Sequence, residues 1–145
     1  MKIAQKLLII AGIIELLIGL MHFTWPFELI EYSEFSKLPD YGKDLIFLSS
    51  LAVGLCLSVF GFLTIYFAIK IDELMKPTWI YAITQGILWL VRLIFEILLP
   101  VRFKIYIINN PTNTILIGAF ILILLYFIPV LLIRKTIKNA TQQCI

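Results

Sequence analysis

Glu15 and His22 stand seven residues apart inside the apolar stretch GIIELLIGLMH (12–22), and His22 is the only histidine of the chain. On a helix, residues seven apart return to one face, about 20° off register. The two groups therefore point the same way, about 10 Å apart along the axis. Gly12 and Gly19 share that face, Pro26 closes it, and Ile13, Leu17 and Leu20 fall elsewhere. A second stripe, Gln85, Trp89, Arg92 and Glu96, follows the spacing four, three, four, which is one continuous helical face. A carboxyl that donates a proton beside an imidazole that accepts one is the pairing that isomerisation or hydration requires. Glu15 and His22 are thus the candidate acid–base pair. All six residues are candidate ligand-binding groups.

Such groups are costly in an apolar setting. An arginine at the centre of a membrane helix costs about 2.5 to 3.5 kcal/mol on insertion scales. Arg92 and Glu96, spaced i,i+4, can pair on their own helix, although arginine before glutamate is the weaker order. Glu15 has no ionisable neighbour on its own run nearer than His22, and is expected to be neutral unless the third run or water reaches it. Blander roles compete at each position. Arg92 can snorkel to the headgroups with Glu96 beside it, Glu15 can be a packing residue bonded to Gln85 or a backbone carbonyl, and His22 can be an interfacial side chain.

The elements that carry these residues follow from composition. Hydrophobic residues make up 61% of the 145, charged residues 14%, and mean hydropathy is +1.02. A soluble domain holds roughly 25% charged residues, so lipid is the solvent that suits this surface. Four apolar runs, each near the roughly 20 residues that cross a bilayer core, predict helices at about 4–27, 45–69, 77–99 and 112–135. Barrel strands would alternate apolar and polar residues, and these runs do not. The expected fold is all-α: one integral membrane domain over 1–145, a four-helix transmembrane bundle. The basic start and apolar run mimic a signal peptide, but no small-residue cleavage site follows, so this reads as a retained first span.

With the N-terminus in the cytoplasm, inner segments hold Lys2, Lys6, Lys70, Lys76, Arg134, Lys135 and Lys138, and outer loops hold Lys37, Lys43, Arg102 and Lys104. Seven against four predicts both termini inside. Trp25, Tyr41, Trp79 and Tyr106 fall near the predicted interfaces. The first outer loop mixes Glu28, Glu31, Glu34, Asp40 and Asp44 with apolar residues, which suits a short segment lying flat on the bundle as well as a solvated loop. In the second run Ser50, Gly54, Ser58 and Gly61 form a small-residue packing face. The fourth run, ILIGAFILILLYFIPVLL, is expected to be the most lipid-exposed; Tyr126 can turn inward there, though nothing requires it. Asn139 begins a sequon on the predicted cytoplasmic side, and the one at Asn110 is disqualified by Pro111.

Several chemistries lack their residues. Cys56 and Cys144 have no paired spacing, and Cys56 reads as a small apolar packing residue. One histidine cannot ligate haem twice, and no CxxCH is present. His22 with Glu15 and Glu96 falls short of the cluster that metal sites show, so no metal is expected. Nucleophile-elbow, zincin and phosphate-loop motifs are missing. Basic residues are too few and scattered for a nucleic-acid binder. In the inner half only Gln85 and Thr84 are polar, so no through-going proton path is evident.

In a four-span chain the first and third helices run in one direction, so their depths compare directly. Glu15 and Gln85 fall near mid-bilayer, and His22, Arg92 and Glu96 in the outer half. If the two faces meet, they enclose a polar pocket open to the outer leaflet, suited to an amphipathic lipid, sterol or quinone. Four spans with Gly12, Glu15, Leu16 and Gly19 in one of them resemble the DoxX-like small membrane proteins. That resemblance implies a membrane-embedded helical bundle, sometimes tied to redox or quinone-linked partners. No cofactor is specified. The leading expectation is a small membrane protein that binds an amphipathic molecule from redox or lipid metabolism. The alternatives are a non-catalytic subunit packed against a second copy or another membrane protein, and an isomerase-like acid–base enzyme.

Overall fold

A computed structural model describes residues 1–30, 33–101 and 111–142, with the side chains of residues 33, 34, 140 and 141 left aside. Readings that fall on Glu31, Tyr32, Arg102, Lys104, Tyr106, Asn110 and Cys144 lie outside the described residues. The elements are α1 (Lys2–Leu29), α2 (Ser33–Ser36), α3 (Asp40–Ile69), α4 (Met75–Leu98) and α5 (Pro111–Gln142). Four of them, α1, α3, α4 and α5, are long and apolar enough to cross a membrane. The protein is an all-α four-helix bundle of multi-pass membrane type.

Prolines set several boundaries. Pro39 precedes α3 with extended dihedrals, and Pro111 opens α5. Pro77 sits in the first turn of α4, where its missing N–H has no helical partner to lose. Pro100 follows α4 and turns the chain out of helical geometry. Two helices outrun their apolar runs: α3 starts at Asp40 rather than 45, and α5 reaches Gln142 rather than 135. Hydropathy marks only what sits in hydrocarbon, whereas backbone hydrogen bonding continues into the interface. There Asp40 gains from the helix N-terminus and Lys43 pairs with it at 3.2 Å.

The bundle is built from two hairpins. α1 packs most extensively on α3 and α4 on α5; α1 also meets α5, while α3 and α4 share much less. α1 and α4 therefore stand across the diagonal. Glycines allow the first hairpin its close approach. A methyl group at Gly12 would sit 2.8 Å from the Gly61 carbonyl oxygen, and one at Gly61 would sit 2.7 Å from that of Gly12. Gly19 and Gly54 repeat the arrangement at 2.9 Å in both directions. The small-residue stripe expected to be a packing face in the second run thus packs on the glycines of α1.

The fourth span departs from expectation. In its most apolar stretch α5 buries 28% of its residues, as α1 and α4 do, and α3 buries only 17%. Leu122, Tyr126 and Ile133 of α5 are wholly buried. Apolarity measures transfer to any dry environment, protein or lipid, and does not say which of them a side chain meets. The least buried span is α3, because its glycine face contacts one neighbour closely and leaves Leu48, Leu55 and Phe62 outside.

The connections are short. After α3, Leu74 N–H donates to the Lys70 carbonyl at 2.8 Å, and Lys70 pairs with Glu73 at 2.9 Å. Ile71 plugs this end of the core. In the connection between α1 and α3, α2 is a single turn. Phe35 is buried there against Phe47, ring centroids 6.1 Å apart, so this turn is anchored to the bundle and not fully solvated.

Candidate functional site

Glu15 lies at mid-height of α1 and is wholly buried. Donors from the other three spans converge on its carboxylate. Trp89 of α4 donates its indole N–H to Oε1 at 3.0 Å. Tyr126 of α5 donates its hydroxyl to Oε2 at 2.6 Å. Thr64 of α3 approaches Oε2 at 3.4 Å and lies 2.9 Å from the Tyr126 oxygen. One carboxylate therefore ties all four spans together.

The proton arrangement follows from counting donors. Tyr126 has one proton, and the 2.6 Å contact commits it to Glu15. Its oxygen can then accept from Thr64. The Phe60 carbonyl, 2.8 Å from Thr64, also receives the Tyr81 hydroxyl at 2.8 Å, so it stays satisfied when Thr64 turns to Tyr126. Thr64, Tyr126 and Glu15 form a chain of oriented hydroxyls in which each bond polarises the next.

The stripe on α4 divides into two parts. Gln85, Trp89 and Glu96 are buried and face inward. Glu15 meets Trp89 rather than Gln85, so Gln85 lies one turn nearer the chain termini. Its Oε1 is buried without a partner. Arg92, with 41% of its side chain exposed, reaches Glu96 Oε2 at 2.7 Å. That contact is an ion pair whose N–H does not point along the line, since Oε2 has no directed hydrogen bond. The other carboxylate oxygen of Glu96 accepts the Val101 backbone N–H at 2.9 Å and closes the chain end of α4.

His22 is half-buried and belongs to the first hairpin. Its Nδ1 lies 2.8 Å from the Ile18 carbonyl, which can only accept, so Nδ1 carries a proton. Its ring meets Trp25 edge-on at 6.1 Å, and its own carbonyl accepts from Ser50 Oγ at 2.8 Å.

Two of the six sequence candidates, Glu15 and Trp89, are joined directly, and Arg92 joins Glu96. Sequence reasoning did not place Thr64 or Tyr81, and it left the inward turn of Tyr126 open. A signal existed, since Tyr126 is the only hydrogen-bonding side chain in the apolar run ILIGAFILILLYFIPVLL. A phenol hydroxyl that deep requires a partner. Their positions also place more polarity in the half nearer the termini than Gln85 and Thr84 alone supply; Thr84 itself is exposed and bonds back to the Ile80 carbonyl. Among the described residues no group of three His, Cys, Asp or Glu side chains is placed to hold a metal ion.

Compared with known proteins, the chain matches no family model, no curated protein and no solved structure.

Proposed function

We propose that this small membrane protein binds an amphipathic small molecule at the polar centre between α1 and α4, with Glu15 as the anchor. The observation that carries the reading is a wholly buried carboxylate inside a membrane span, held by neutral donors and carrying no ion pair among the described residues. Ionisable side chains at such depth are expensive, and packing alone gives no reason to keep one. Gln85, Trp89 and Glu96 line the inward face of α4 above and below it, and Arg92 and His22 stand toward the loop end.

Mass spectrometry of molecules retained by the purified chain tests this directly. A lipid, sterol or quinone should co-purify in near-stoichiometric amount and be lost from Glu15→Gln and from Arg92→Leu, while both variants insert and stay monodisperse. Retention of the same molecules by both variants would refute the assignment.

The excess of basic residues at the terminal end supports both chain ends facing the cytoplasm. Reporter fusions after residue 142 should then be active only on that side. The DoxX-like reading is carried by Gly12, Glu15, Leu16 and Gly19. In this fold the two glycines serve the contact with α3 and the glutamate serves the centre.

A further inference from the structure

Open space lies at the C-terminal end of α1, where the chain turns through α2 into α3. Ile30, Phe35, Ser36, Lys43, Asp44 and Phe47 line a cleft of about 380 Å³, within the usual span of ligand sites, about 300 to 1,000 Å³. Its floor is apolar. Phe35 is buried with its ring 6.1 Å from that of Phe47, and Phe47 meets Phe27 edge-on at 5.9 Å. Phe27 is 64% exposed on the flank of a membrane span, so this row of three rings leads from the cleft to the lipid-facing surface.

The rim is polar, formed by the Ser36 hydroxyl, the Lys43 ammonium and the Asp44 carboxylate. Its depth suits a lipid headgroup. α3 begins at Asp40 whereas its apolar run begins at residue 45, which puts Lys43 and Asp44 at the edge of the hydrocarbon. Phe47 follows three residues on, about 4.5 Å deeper along the helix axis.

The charges at the start of α3 choose between headgroups. Lys43 lies 3.2 Å from Asp40, but Asp40 is 97% exposed, so water weakens that pair. An ammonium also has further protons to donate. Asp44 is exposed and carries no ion pair among the described residues. Two carboxylates therefore stand against one ammonium, and a purely anionic headgroup meets net repulsion there. A headgroup that carries a phosphate and an amine satisfies both rim charges. Its phosphate accepts from Lys43 in a charge-assisted hydrogen bond, and its cationic nitrogen faces Asp44.

We propose that this cleft binds the headgroup of a zwitterionic phospholipid, with the acyl end laid over the row Phe35, Phe47 and Phe27. The site is separate from Glu15 and does not rest on the reading made there. Native mass spectrometry of the detergent-purified full chain, titrated with dioleoyl phosphatidylethanolamine, phosphatidylcholine and phosphatidylglycerol, compares headgroups on one set of acyl chains. Each zwitterionic lipid should bind at least threefold more tightly than phosphatidylglycerol. Lys43→Gln should weaken zwitterionic binding at least threefold, and Asp44→Asn should abolish the preference over phosphatidylglycerol. In the wild-type chain a zwitterionic lipid should slow modification of Asp44 by a water-soluble carbodiimide and spare Asp40, a readout that needs no variant to fold. Equal affinity for phosphatidylglycerol, or Asp44 labelling unaffected by the zwitterionic lipids, overturns the proposal. Glu15→Gln should leave this binding unchanged. Zwitterionic binding lost from Glu15→Gln and untouched by Asp44→Asn would overturn the cleft assignment while supporting the reading at Glu15.

Discussion

Trp89 hydrogen-bonds Glu15 across the diagonal of the bundle, indole Nε1 to carboxylate Oε1 at 3.0 Å. These two residues belong to spans that are not packing neighbours, so their bond connects the two hairpins through the centre. Trp89→Phe keeps most of the ring and deletes the donor. In membrane bundles an interhelical hydrogen bond contributes about 0.6 kcal/mol on average and up to about 1.7. The substitution should fall in the upper part of that range, because the acceptor is wholly buried and loses one of its two close donors. Unfolding of the purified protein in a denaturing detergent titration would measure it, and no change would mean that the bond carries nothing.

Tyr126→Phe removes the 2.6 Å donor to Glu15 Oε2 and leaves that oxygen with Thr64 at 3.4 Å. Its cost should exceed that of Thr64→Val. The double variant should be less destabilised than the two single costs combined, since both act through one chain of hydroxyls. Strict additivity would show that Thr64 and Tyr126 are energetically independent.

Gly12→Ala and Gly61→Ala should each weaken the first hairpin by about 1 to 3 kcal/mol, the usual cost of forcing atoms into a filled interface. Each added methyl meets backbone within 2.8 Å, which cannot swing aside as a side-chain tip can. Gly118→Ala is the control. A methyl there has nothing within 4 Å, and alanine favours a helix over glycine by about 0.8 to 1 kcal/mol. It should leave stability unchanged or raise it, and melting curves of the three variants give the comparison.

Arg92→Leu leaves Glu96 buried without its counter-ion. Breaking a buried pair by removing one partner typically costs about 3 to 5 kcal/mol. Here Arg92 is partly exposed, so the loss should be nearer the lower figure or beneath it. Arg92→Leu combined with Glu96→Leu should recover much of it, less the uncapped Val101 N–H. Thermal stability of the single and double variants decides the matter. A double variant no more stable than Arg92→Leu would mean that the cap on Val101, and not the ion pair, is what Glu96 supplies.

By itself the sequence determined the class of fold and most of the face assignments. Four runs of apolar residues fix four spans, because unpaired backbone is intolerable in hydrocarbon and a helix satisfies it locally. Spacing alone put Glu15 on the glycine side of α1, and Gln85, Trp89 and Glu96 on one side of α4. It also placed the small residues of α3 on one stripe. Those properties depend on helical geometry within a segment and need no knowledge of neighbours.

Which segments meet was decided only in three dimensions. Glu15 could have paired with Gln85, a backbone carbonyl or water, and periodicity does not rank them. Register along the helix axes chose Trp89. The lone hydroxyl of Tyr126 in the apolar run of α5 marks it as a group that needs a partner, but which partner it meets depends on the rotation and register of α5. The apolarity of that run made α5 look lipid-facing, whereas α3 is the least buried span. Hydropathy reports the free energy of leaving water; packing between helices, already out of water, is chosen by shape and by the few polar groups that must find one another.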